Sequence, residues 1–359
     1  MASSKRVGGS VVVVGQGTTR LLCRGFCGRT WRIPSTAALE KIHGKYNVLE
    51  GRGPWLRVES GKRTGSIDRL GATIRATGIS QDAPLSSAAL KRFPKLKGDD
   101  FQHPLDRQNT LLLKSLPGLQ FFARSMIMSA GAEEVLFLEN ISSSILVGPK
   151  QMPSLYMLLR DACEVLGMES VPDLYVRQSP SPNAYTLALS GKRPFIVVHT
   201  SLLELMDDEE IQAVIAHELG HLKCDHAVWL TAANVLALGT VSLLPMVSSA
   251  VEDSIMRWLR SAELSCDRAA LLVAQDPKVV VSSFMKLAGG SSRLANELNV
   301  EAFIEQARSY DEATSSPMGW YLRHAQNRAL SHPLPVLRAR EIDSWASSKE
   351  FRYLLSTSS

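Results

Sequence analysis

The stretch His217-Glu218-Leu219-Gly220-His221 constrains this chain more than any other. Residues four apart on an α-helix lie about 40° apart around its axis, one turn from each other. Two imidazoles so placed can grip one metal ion, and the glutamate between them can act on a water beside it. This is the HExxH pattern, two metal-binding histidines enclosing a general base. The flanking residues agree with a helix. Asp207-Asp208-Glu209-Glu210 puts acids at its N-terminus and includes an Asp-x-x-Glu capping pattern. Ile211, Val214, Ile215, Leu219 and Leu222 then recur at helical spacing. Glu218 falls within that apolar face, with the histidines at its edge. A merely structural helix would not bury a carboxylate there without a partner, because an unpaired buried charge is costly. The plain alternative is an amphipathic helix with surface histidines.

A second helix is expected over 252–274, stopped by Asp276-Pro277. It carries Glu263-Leu-Ser-Cys-Asp267, two acids four apart on one face. That spacing suits a glutamate ligand with an aspartate behind it that orients a histidine through the outer shell. Two solvated acids would be the default for this pair standing alone. Strands are expected over 172–178, 183–189 and 194–199, the last two as a hairpin around Ser190-Gly191-Lys192. A strand just ahead of the metal helix could leave an edge open to an extended peptide. Residues 183–189 read equally well as sheet core. Further helices are expected over 153–167, 277–287, 292–309, 317–328 and from Ser331 to about Trp345. Residues 98–106 read as irregular and polar, and 110–116 and 121–129 as short helices.

The 25 residues from Ala227 to Val251 carry no charge. Their length meets the threshold for a membrane span. A single span here would put His221 and Glu263 on opposite sides of a bilayer, and two spans need more apolar residues than are present. Two readings stay open: a buried helical hairpin, or an apolar hairpin dipping into one leaflet or a lipid monolayer.

The net charge of +5 is unevenly spread. Of 40 Lys+Arg and 35 Asp+Glu, ten and three fall in residues 1–60, leaving 30 and 32. The remainder offers no electrostatic case for nucleic acid. The first 39 residues contain no acid, with arginine, serine and threonine scattered through them. That is the composition of an organelle transit peptide over 1–60, its boundary extending as far as about residue 78. Plastid and mitochondrion are not separable on composition. Val11–Gly15 with Gly17 lacks the third glycine of a dinucleotide fingerprint. Five cysteines, two of them in the leader, do not make a disulfide framework.

Taken together, the chain resembles the M48 family of zinc metallopeptidases, the family of HtpX and the CAAX prenyl proteases. The matching residues are Asn183-Ala184 before a strand, the run from Leu202 to Glu210, HELGH, Glu263 with Asp267, and Ser331-His332-Pro333 with Arg338. The run from Asp100 to Asn109 and the approach from Tyr175 to Asn183 resemble the plant and cyanobacterial branch, which includes a plastoglobule-associated type. The resemblance implies an α+β, mostly helical fold: a gluzincin-type zinc peptidase domain with a small β-sheet beside the HExxH helix. It implies one Zn2+ per chain on His217, His221 and Glu263, with Glu218 as general base and Asp267 orienting a ligand histidine. His332 and Arg338 would stabilise the oxyanion, and Asn183 and Ala184 would line the substrate edge. Leu264 and Cys266 stand where many relatives have an aromatic residue and alanine. The expected organisation is an accessory segment over 79–150 that packs on a peptidase domain over 151–346, followed by a frayed tail over 347–359. The expected activity is zinc-dependent endoproteolysis of organellar proteins, in the plastid and at a plastoglobule or thylakoid surface, with the mitochondrion as the other address. The rivals are a zinc-bound scaffold without catalysis and a lipid-surface binding module.

Overall fold

The computed structural model describes residues 11–15, 18–22, 91–119, 121, 132–188, 193–230, 248–328, 330 and 332–358. Within the basic leader, β1 (Val11–Gly15) and β2 (Thr18–Leu22) pair as an antiparallel hairpin. Four consecutive β-branched valines favour the extended form. The rest of the leader, the turn expected at 190–192, all but the first residue of the helix expected over 121–129 and most of the apolar stretch, 231–247, lie outside the described residues.

The stretch expected to be irregular is helical. After α1 (Gly98–Phe101), His103 caps α2 (Pro104–Lys114), its Nδ1 accepting the Leu105 N–H at 3.3 Å. Pro104 supplies the preset first-turn φ and Asp106 an acid in the first turn. The helix expected over 110–116 catches only the second half of α2, because part of the inward side is polar: Asp106 and Thr110 are buried. Phe101 is fully buried in the principal core, so this segment shares the core of the helices and sheet that follow.

Next come α3 (Ala132–Ser143), the short strand β3 (Ile145–Leu146) and α4 (Pro153–Val165). Leu155, Leu159 and Ala162 of α4 recur at helical spacing and are buried. The strands β4 (Asp173–Arg177), β5 (Ala184–Leu187) and β6 (Phe195–His199) then complete one four-stranded sheet in the order β3-β4-β6-β5. β6 lies parallel to β4 and antiparallel to β5, and all five of its residues are buried, as befits a central strand. β5 stands at the sheet's edge.

The chain continues through α5 (Thr200–Leu205) into α6 (Asp208–Lys223), the helix of His217. Asp207 and Glu210 close the expected capping box, each accepting the other's backbone N–H at 3.0 Å. The long α7 (Ser248–Ala274) packs along α6, followed by α8 (Pro277–Gly289), α9 (Val300–Ala313), α10 (Pro317–Arg328) and α11 (Pro335–Ala346). The helix expected over 292–309 begins only at Val300, where Asn299 caps it. Where a frayed tail is expected, α12 (Lys349–Thr357) forms instead. Ser348 caps it, Phe351 stacks at 4.9 Å on Trp345, and Leu354 is buried. The mostly helical α+β expectation holds. Among the described residues, no helix is long and apolar enough to cross a membrane. Val228, Trp229 and Leu230, at the start of the uncharged stretch, are buried against Trp258 and Leu259 of α7.

Candidate active site

Helix α6 presents His217, Glu218 and His221 between β5 on one side and α7 on the other. Close contact with α7 depends on Gly220. A Cβ at that position would sit 3.0 Å from both the Ala269 Cβ and the Cys266 Cα. Without it, α7 comes near enough to bring Glu263 and Asp267, one turn apart, against the two histidines.

The Glu263 carboxylate spans both rings. Its Oε2 lies 3.4 Å from His217 Nε2 and its Oε1 3.6 Å from His221 Nε2. Two imidazole nitrogens and one carboxylate are the donor set of a catalytic zinc site with its fourth position open. His217 and Glu263 are buried and His221 is half-buried, and a carboxylate oxygen stands beside each ring Nε2, so the three residues fit a metal ion. Cys266 Sγ also lies within 4.8 Å of donor atoms of the two histidines. It faces His226 Nδ1 at 3.6 Å instead, and burial pushes its thiol well above the ordinary range. Glu263, whose carboxylate meets both Nε2 atoms, is the better candidate for the third ligand.

Behind the metal position, His217 Nδ1 donates to Asp267 Oδ1 at 2.9 Å. This is the carboxylate–histidine arrangement expected of Asp267. Arg338 forks onto the same carboxylate, with Nε to Oδ2 at 2.8 Å and Nη2 to Oδ1 at 2.5 Å. Its guanidinium also lies over the Phe284 ring, 4.2 Å from the centroid. The oxyanion role implied for Arg338 does not fit this placement. Its charge sits on the Nδ1 side of His217, away from Nε2, because a carboxylate as buried as Asp267 needs a paired cation. Burial would raise Asp267, but the Arg338 charge and hydrogen bonds hold it below the ordinary carboxylate range.

His332 Nδ1 donates to Glu263 Oε2 at 2.6 Å. Its buried Nε2 makes no hydrogen bond among the described residues. Burial would raise Glu263, but the His332 charge and bonds from His217 and His332 hold it well below its ordinary value. Glu218 behaves oppositely. Burial pushes it up to about 7, against the His217 charge and the Thr186 hydrogen bond. Thr186 Oγ1 donates to Glu218 Oε2 at 2.7 Å. A base poised near neutrality suits proton transfer at neutral pH.

Asn183 and Ala184 do not reach the cleft. Both are fully buried: the Asn183 carbonyl accepts the His199 N–H at 2.9 Å, and Ala184 pairs with Val198 inside the principal core. The part of β5 that meets the site is Thr186, which sequence reasoning passed over. Its position two residues past Ala184, in an expected strand, was the available signal.

Residues 149–346 match the model of Peptidase family M48. The chain is 62% identical over 266 residues to the plastoglobule-localized metallopeptidase 48, chloroplastic, of Arabidopsis thaliana, covering 73% of this chain and 77% of that protein. The protease HtpX homologues of two Tropheryma whipplei strains, Twist and TW08/27, are 26% identical over 155 residues, 42% of this chain and 50% of each of theirs. No solved structure matches the chain. The plastid address implied by the resemblance agrees with the chloroplastic designation of the Arabidopsis relative. The matched span takes in every residue of the cluster built around Glu263. Together with identity over most of a metallopeptidase, it shows that this chain belongs to peptidase family M48 and is a metallopeptidase.

Proposed function

We propose that this chain is a zinc-dependent endopeptidase acting on plastid proteins. The observation that carries the reading is the approach of His217 Nε2 and His221 Nε2 to the two oxygens of Glu263, with Glu218 next in sequence to the first ligand. His217, His221 and Glu263 would hold a zinc ion, which would supply Lewis acidity and lower the pKa of water to about 7. Glu218 takes the proton of the attacking water and delivers it to the leaving amine. His332, through its Nε2, faces the developing oxyanion. Asp267 and Arg338 hold the His217 ring in its tautomer and orientation and do not touch the substrate.

An extended substrate would dock on the edge of β5 near Thr186, pairing by β-augmentation. The plastid address follows the acid-free leader and the Arabidopsis relative, whose name places it at plastoglobules. Lipid contact through residues 227–251 is part of the same reading. Flotation with lipid droplets, lost in charged variants that stay folded and zinc-loaded, would support it.

The deciding experiment measures zinc content and casein cleavage side by side for the chain and for Glu218→Gln. Both are expected to bind about one zinc, and only the wild type to cleave, with turnover lowered by about 10²–10⁴-fold in the variant. His217→Ala and Glu263→Ala lose the metal as well. Zinc in both proteins with cleavage by neither selects the scaffold reading, and undiminished cleavage by Glu218→Gln overturns the base assignment.

A further inference from the structure

A second buried carboxylate stands behind the other histidine. Asp106, in the first turn of α2, is fully buried. Its Oδ2 accepts from Ser265 Oγ at 2.6 Å and faces His226 Nε2 at 3.1 Å. Its Oδ1 accepts from Trp258 Nε1 at 2.8 Å and from Thr110 Oγ1 at 3.4 Å. His226, also buried, sets its Nδ1 3.0 Å from the Nδ1 of His221. The chain makes an unusual turn to put it there. Asp225 adopts a left-handed conformation, with φ of 54°. An aspartate tolerates that region better than most residues, yet at some cost. The turn ends α6 and swings His226 back over the last helical turn.

The protons along this line have one consistent direction. His221 Nε2 faces Glu263, so a metal takes its lone pair there and the ring proton stays on Nδ1. Two nitrogens facing each other at 3.0 Å share one proton, so His226 Nδ1 accepts and His226 carries its own proton on Nε2. That proton points at Asp106. The Trp258 indole can only donate, which fixes Asp106 Oδ1 as an acceptor. Cys266 Sγ, 3.6 Å from His226 Nδ1, is a weak second donor to the same acceptor. Both ligand histidines therefore lead to a buried carboxylate. His217 reaches Asp267 directly, and His221 reaches Asp106 through His226.

We propose that Asp106 and His226 are positioning residues of the metal centre, which fix the tautomer and ring orientation of His221 from its far side. The proposal rests on His221 being a ligand, as proposed above. It makes α2, outside the span matched by the family model, part of the catalytic apparatus. The rival is a plain structural anchor, in which Asp106 ties α2 to Ser265 and Trp258 on α7 and His226 merely fills space.

Zinc affinity, by competition with a chromophoric chelator, and the visible spectrum of the Co2+-loaded chain distinguish the two. Asp106→Asn and His226→Leu are each expected to weaken zinc binding about 10- to 100-fold and to shift the Co2+ bands. His226→Gln can still accept from His221 and donate to Asp106, and is expected to restore most of that affinity. The double variant Asp106→Asn/His226→Leu is expected to bind no worse than His226→Leu, because Asp106 acts through His226. Wild-type affinity in Asp106→Asn, or losses that simply add, would overturn the proposal. Should a variant fail to fold, 15N-histidine NMR of the zinc-loaded wild type decides the matter. A proton on His226 Nε2 is expected, and one on His226 Nδ1 sinks the idea. His221→Ala separates the two levels: if it keeps full zinc affinity, the ligand assignment itself has failed.

Discussion

Thr186 holds the carboxylate proposed as the general base. Thr186→Val keeps the side chain's shape and removes the donor to Glu218 Oε2. Zinc content is expected to stay unchanged, while kcat/KM falls about 10- to 100-fold, the worth of one hydrogen bond to a charged group. That bond lowers the Glu218 pKa, so its loss also moves the acid limb of the pH–rate profile to higher pH. An unchanged profile would mean that Thr186 and Glu218 part when substrate binds. At this scale the sequence showed what a short motif can show. His217, Glu218, His221, Glu263 and Asp267 were legible because a helix turns sequence spacing into a shared face. Thr186, His226 and Asp106 were not, because their roles depend on partners 32 and 120 residues apart in the chain. Arg338 was legible as a site residue but not in its task, since sequence does not say which side of a ring a cation will occupy.

Gly220 sets the distance between the two helices that share the metal site. Gly220→Ala would drive a methyl into Ala269 and the Cys266 backbone, 3.0 Å away. Overpacking of this kind costs about 1–3 kcal/mol. As α7 moves off, Glu263 retreats from both Nε2 atoms, so zinc affinity is expected to fall together with the urea midpoint. Loss of stability with unchanged zinc affinity would show that α7 yields elsewhere. The elements themselves were largely legible, through apolar periodicity, the Asp207–Glu210 box and β-branched runs. Their pairing was not. β4 pairs directly with β6 in parallel although β5 comes between them in the chain, and no local pattern announces a parallel partner. The first half of α2 and the whole of α12 escaped for different reasons, the former because part of its inward side is polar and the latter because Phe351 and Leu354 are too few to show a period.

The molecule as a whole should respond to pH differently with and without metal. Burial would lower His217, but its bonds to Asp267 and Glu263 raise it to about 9. A proton thus occupies the place that metal would take. A histidine whose folded pKa exceeds its ordinary 6.5 contributes stability that is full below 6.5 and is lost as pH rises through about 9. The chelator-treated chain is therefore expected to lose urea resistance between these limits, and the zinc-loaded chain to keep it. A metal-free protein more stable at the upper limit would contradict the hydrogen bonding around His217. At this scale the uneven charge and the family were readable from sequence. Which residues of 91–114 enter the principal core, Phe93, Leu96 and Phe101, was not.

The position of β5 has a consequence for what can be cut. Docking along that edge, as proposed above, requires several consecutive residues in extended form with their backbone amides free. A helix or a paired strand in a folded protein cannot supply them until it opens. Selection would then act on local stability more than on side chains. Each 1.4 kcal/mol of local opening free energy slows cleavage about tenfold, so the same bond survives in a sound protein and is lost in a damaged one.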